Sequence, residues 1–149
     1  MPMDLYAYVK PGDRLPAFRV TTIDGEVFDS ENPAGTNRWI YFFILSCPHC
    51  REGLKFLNAA FEKIPVLPFR FLAIGRDHET EDLRVFRDKK QYHLPLAPDP
   101  GRNIYGMFAT GKVPRSIVAS PGGIVLAHSR GFQVKEYENL MRMAGLPRP

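Results

Sequence analysis

A chain of 149 residues, 44% apolar and 12% aromatic, has a globular composition and enough length to bury one core, which excludes global disorder. Its net charge of +4 is spread along the chain. The densest basic group, Arg84, Arg87, Lys89 and Lys90, reads as a solvated helix face rather than a nucleic-acid footprint. The longest apolar run, Ile40 to Leu45, falls far short of the roughly 18 residues of a membrane span. Met1 to Lys10 has neither the charged nor the apolar region of a signal peptide, which leaves a cytoplasmic protein or a mature exported one.

In chain order, residues 1–10 read as a flexible lead-in to a single domain over 1–149. Lys10-Pro11-Gly12-Asp13 is turn chemistry, and Pro16 opens a strand with Phe18, Val20 and Thr22 on one side. Asp24-Gly25 turns it back through Val27 and Phe28. After a polar loop from Ser30 to Asn37, the run Ile40 to Leu45 reads as a strand buried on both faces. A helix follows, with Leu54, Leu57, Phe61 and Ile64 as its apolar stripe, ended by Pro65.

Phe69 to Ile74 is a second buried strand, closed by Gly75. The next helix has cap candidates from Asp77 to Thr80, acids early (Glu81, Asp82) and bases late, with Leu83, Val85, Phe86 and Tyr92 as its apolar contacts. Asp99-Pro100-Gly101 is a turn and Asn103 to Ala109 a short helix. Strands at Ser116–Ala119 and Ile124–His128 flank the tight turn Pro121-Gly122-Gly123. A last helix, Val134 to Ala144, stops at Gly145 with Pro147 behind it. Strand–helix–strand units need parallel crossovers and the Pro-Gly-Gly turn needs an antiparallel pair, so the fold class is α/β with a mixed central sheet flanked by helices.

The only two cysteines sit at the junction of the central strand and its helix, as Cys47-Pro48-His49-Cys50. With Cys47 at the helix N-cap, Pro48 takes the first helical position, where its missing N–H costs nothing. Cys50 then stacks over Cys47 on the first turn, able to meet the Cα separation of roughly 4.4–6.8 Å that a disulfide needs. Orphan N–H groups and the helix dipole at Cys47 favour thiolate, and thiols so placed can fall from about 8.5 to roughly 3.5–7.5. His49 can add charge or a hydrogen-bond donor. Cys47 reads as nucleophile and Cys50 as resolving thiol.

Three blander readings compete. Half a zinc site would need a second Cys-x-x-Cys or a histidine pair, and His78, His93 and His128 lack ligand spacing, so no metal is expected. A structural disulfide in so small a ring would add little stability. Two small buried residues could also neighbour by coincidence. The strand before and the helix after favour redox chemistry.

Three stretches together resemble thioredoxin-fold, TlpA-like (AhpC/TSA-related) thiol-disulfide oxidoreductases. They are Pro11-Gly12-Asp13 with Leu15-Pro16-Ala17-Phe18 and Asp24-Gly25; the strand ending in Cys47-Pro48-His49-Cys50; and Ile104-Tyr105-Gly106 with Val113-Pro114-Arg115-Ser116 and Gly122-Gly123-Ile124-Val125. The resemblance implies a thioredoxin-like sheet with an N-terminal β-hairpin, and exchange of the Cys47–Cys50 dithiol with protein thiols and disulfides. It implies a cis Pro114 facing the cysteines, and Val113 beside it offering backbone groups to an extended substrate. It also implies a separate electron donor or acceptor and favours an extracytoplasmic setting over a cytoplasmic one; no cofactor and a monomer are expected. The direction, reductase or oxidase, stays open.

Departures are visible too. Ser46 stands where relatives often carry Trp. Where many have a Glu three residues after the second Cys, this chain has Gly53, and Glu52, one place earlier, reads as solvent-facing. Peroxiredoxins, which share much of the fold, place a Thr three residues before their reactive Cys; here that residue is Ile44. A peroxide reductase, and a thioredoxin-fold binding module without turnover, are the alternative functions.

Overall fold

The computed structural model describes residues 4–32 and 35–146. The Asp24-Gly25 turn closes an antiparallel hairpin of β1 (Arg19–Thr21) and β2 (Val27–Asp29), with Gly25 at φ 88°, a conformation glycine reaches without penalty. β3 (Asn37–Phe43) is the middle of a five-stranded mixed sheet. It pairs in parallel with β4 (Phe69–Arg76) and antiparallel with β6 (Arg115–Ala119). β5 (Leu96–Asp99) and β7 (Val125–Arg130) are the two edges.

The central run is apolar throughout because both faces are covered. Trp39, Tyr41 and Phe43 point into one core with Leu54 and Leu57 of α1 (Pro48–Glu62), Leu83 of α2 (Thr80–Lys90) and Leu140 of α4 (Val134–Ala144). Ile40 and Phe42 point into the other, with Tyr105 and Phe108 of α3 (Tyr105–Phe108) and Phe18 and Phe28 of the hairpin. The α/β class, the mixed thioredoxin-like sheet and the N-terminal hairpin are all present. Among the described residues, no helix is long and apolar enough to cross a membrane.

Four local expectations are corrected. No element is expected between Tyr92 and the Asp99-Pro100-Gly101 turn, where Pro95 and Pro98 fall, yet Leu96–Asp99 forms a strand. An edge tolerates this: the outward Leu96 carbonyl accepts the Ile23 N–H at 2.9 Å, and Pro98 needs no partner on that side. Gly75 does not close β4 but lies within it, paired with Phe43 on one side and Pro98 on the other, and a Cβ there would come within 2.8 Å of Leu83 on α2. Val85 is 58% exposed, so α2 seats itself through Leu83 and, in part, Phe86. The lead-in is docked: Ala7 bridges to Ala109, the Tyr8 N–H donates to Phe108 O at 2.9 Å, and Val9 is buried. Residues 1–3 of that lead-in, Pro33 of the polar loop and Pro147 behind the last helix lie outside the described residues.

Two polar contacts anchor this N-terminal segment. Arg115 Nη1 donates to the Asp4 carboxylate at 2.7 Å, and the Nδ1 of His128 lies 2.7 Å from Val9 O. A carbonyl only accepts, so Nδ1 carries the proton and Nε2 offers its lone pair to Arg115 Nη1, 3.2 Å away. Burial holds the His128 pKa below its ordinary value. The unfolded chain therefore takes up this proton first, and stability is lost as pH falls from about 6.5 through the lower native value. His128→Gln, which cannot titrate, should lose less melting temperature than the parent between about pH 7 and about pH 5. Equal losses in the two proteins would remove His128 from the acid response.

Candidate active site

β3 ends at Phe43, and Ile44 to Ser46 turn the chain so that Cys47 becomes the N-cap of α1. Cys47 has extended backbone angles (φ −90°, ψ 116°), and Pro48 opens the helix. The Cys50 N–H donates to the Cys47 sulfur at 3.2 Å, the contact a capping side chain makes. No acidic residue stands in the first turn to oppose the positive end of the helix. Both thiols are free; Cys47 is half-buried and Cys50 wholly buried.

The turn before Cys47 is held from two sides. The Leu45 N–H donates to His78 Nε2 at 2.9 Å, and Leu45 O accepts from Arg51 Nη1 at 2.6 Å. Opposite the cysteines, the Val113–Pro114 peptide bond is cis, and Val113 O lies 3.9 Å from the Cys47 sulfur. That loop is fixed from behind. Lys112 O accepts from Tyr105 Oη and Arg115 Nε, each at 2.8 Å, and Gly111 O accepts from Arg76 Nη1.

Beneath the helix, Tyr41 Oη donates to Cys50 O at 3.0 Å. An added Cβ on Gly53 would sit 2.3 Å from that same phenol oxygen, so the tyrosine occupies the room a larger residue at 53 would need. Burial, then the hydrogen bond with the Cys47 sulfur, pushes the Cys50 thiol well above its ordinary range. His49 stands in solvent with its Nδ1 3.5 Å from the carboxylate of Glu52, itself 60% exposed. In the reduced protein, iodoacetamide should therefore label Cys47 and leave Cys50 unlabelled at neutral pH, read by mass spectrometry. Equal labelling would contradict this burial and charge pattern.

The structure brings Cys47, Cys50, Pro48, Val113 and Pro114 together and leaves His49 at the rim. Sequence reasoning missed Tyr41, His78, Arg51, Arg76 and Arg115. Only Gly53, an isolated glycine inside a helical pattern, gave a sign that something packs closely there. Among the described residues, no group of three or more His, Cys, Asp or Glu side chains could hold a metal ion.

Comparison with known proteins agrees with this geometry. The thiol-disulfide oxidoreductase ResA of Bacillus cereus is 29% identical over 84% of this chain and 72% of its own length. A Bacteroides thetaiotaomicron protein assigned as a protein disulfide isomerase superposes with a TM-score of 0.82 at 23% identity, covering 95% of this chain and 91% of its own. A Chlorobium tepidum protein assigned as the thiol:disulfide interchange protein DsbE gives a TM-score of 0.74 at 25% identity over 90% of this chain and 94% of its own. The sequence profile of the AhpC/TSA family matches residues 11–128, with both cysteines and the Val113–Pro114 loop inside the match, and the chain belongs to that family.

Proposed function

We propose that Cys47 is the nucleophile and Cys50 the resolving thiol of this thioredoxin-fold thiol-disulfide oxidoreductase. The observation that carries the assignment is the partly exposed Cys47 sulfur at the start of α1, accepting the Cys50 N–H at 3.2 Å. The Cys47 thiolate attacks one sulfur of a target disulfide, forming a mixed disulfide and releasing the other sulfur as a thiolate. Cys50 then gives up its proton and attacks Cys47, which releases the second target thiolate. The target gains two electrons and the Cys47–Cys50 pair loses two. Run backwards, the same steps oxidise a dithiol.

Pro48 presets the first helical turn, His49 offers a charge or a hydrogen-bond donor at the mouth of the site, and Val113 with Pro114 forms the wall against which an extended substrate lies. The protein acts in this reading as one monomeric domain outside the cytoplasm, served by a separate electron donor or acceptor. The AhpC/TSA membership and the likeness to ResA support this reading. Ile44 in place of the threonine of peroxiredoxins weighs against peroxide reduction.

The reduction potential of the cysteine pair tests activity and direction together. A working pair should titrate reversibly in glutathione or dithiothreitol buffers above about −300 mV, the level below which structural disulfides lie. A pair that stays oxidised throughout would leave only a binding module.

A further inference from the structure

Two shallow grooves border the Cys-Pro-His-Cys turn, one lined by His49 and the other by Pro48. One, of about 470 Å³, runs past His49 and Val113 over Phe132, between Lys112 and Arg130. The other, of about 220 Å³, runs past Pro48 over Phe86 and Tyr92, between Lys55 and Lys90. Each has an aromatic floor already in place. Phe132 packs edge-on against Tyr137 at 4.8 Å, and Phe86 against Tyr92 at 5.8 Å between ring centroids. Each also has a basic rim.

The two carboxylates in these grooves are engaged locally: Glu52 faces His49, and Glu136 accepts from Ser129 Oγ. Lys55, Lys90, Lys112 and Arg130 are exposed and make no ion pair among the described residues. Each groove thus carries more cations than carboxylates, a positive balance that favours an anionic visitor.

We infer that the protein partner meets Cys47 through an acidic, extended segment whose apolar side chains rest on Phe132 on one side and on Phe86 and Tyr92 on the other. This rests on the exchange reaction proposed above, naming the kind of substrate that site takes. Charge pairs across such a rim steer the encounter and reject basic partners more than they add affinity. The attraction reaches about 10 Å at 0.1 M salt and fades as salt rises.

The test is binding of two labelled peptides by fluorescence anisotropy. Both carry Phe and Ser in the centre; one has Asp and Glu flanks, its twin Lys and Arg flanks. The acidic peptide should bind at least about tenfold more tightly at low salt, and lose that lead at about 1 M salt. Charge reversal in Lys112→Glu with Arg130→Glu, and separately in Lys55→Glu with Lys90→Glu, should shrink or invert the preference. Equal binding of the twins, or a preference untouched by both reversals, overturns the proposal. Reduction of hydroxyethyl disulfide by the unaltered protein tests the exchange reaction by itself, so the two ideas fail by different measurements.

Discussion

Cys47→Ser will lower reduction of insulin disulfides by at least about 10³-fold, to the background rate, because a serine hydroxyl at the same helix start is not ionised near neutral pH. Cys50→Ser will behave differently. Its Cys47 can still attack, but nothing displaces the captured thiol, so a covalent adduct should accumulate and appear on non-reducing gels. The difference follows from placement: Cys47 is half-buried at the surface, whereas Cys50 lies wholly behind it. Because burial keeps Cys50 protonated, release of the captured thiol should quicken as pH rises. Full turnover in Cys47→Ser, or no adduct in Cys50→Ser, would end the assignment of roles.

Gly53→Ala should destabilise the protein although alanine is the better helix former. The helix gains about 0.8–1.0 kcal/mol from the exchange. Against this, the new methyl would stand 2.3 Å from Tyr41 Oη and 3.2 Å from its ring carbon. Forcing apart a packed core costs about 1–3 kcal/mol, and displacing the phenol also endangers its hydrogen bond to Cys50 O, worth about 0.5–1.5 kcal/mol. The losses win, and Tm should drop by several degrees. Tyr41→Phe combined with Gly53→Ala should be less destabilised than the sum of the two single changes, since one atom causes most of the clash. Additive losses would show that the phenol is not what excludes a side chain at 53. The glutamate that many TlpA-like relatives carry at this position would meet the same obstruction.

What could be read from the residues depended on how local the signal was. The Cys47-Pro48-His49-Cys50 turn announces itself through adjacent residues: an apolar run, two cysteines and a proline at a helix start. The Asp24-Gly25 hairpin and the Gly145 stop are equally local, and both stand in the structure. β5 was hidden because its prolines argue for loop, and only its place at the sheet edge makes them harmless. Tyr41 vanished inside a run that reads simply as buried strand, and its tie to Gly53 exists only after α1 lies across β3. Arg115 and His128 gave no sign of anchoring Asp4 and Val9, more than a hundred residues earlier, because no local pattern encodes so distant a contact.

The proline-bearing border strand has one more effect. With the Leu96 carbonyl already taken by Ile23 and no amide hydrogen on Pro98, that flank offers a neighbouring molecule almost nothing to zip onto. Edge-to-edge pairing of native copies is thus disfavoured along β5, while residues 12–15 cover the start of the opposite edge strand, where Gly12 N–H donates to Val125 O.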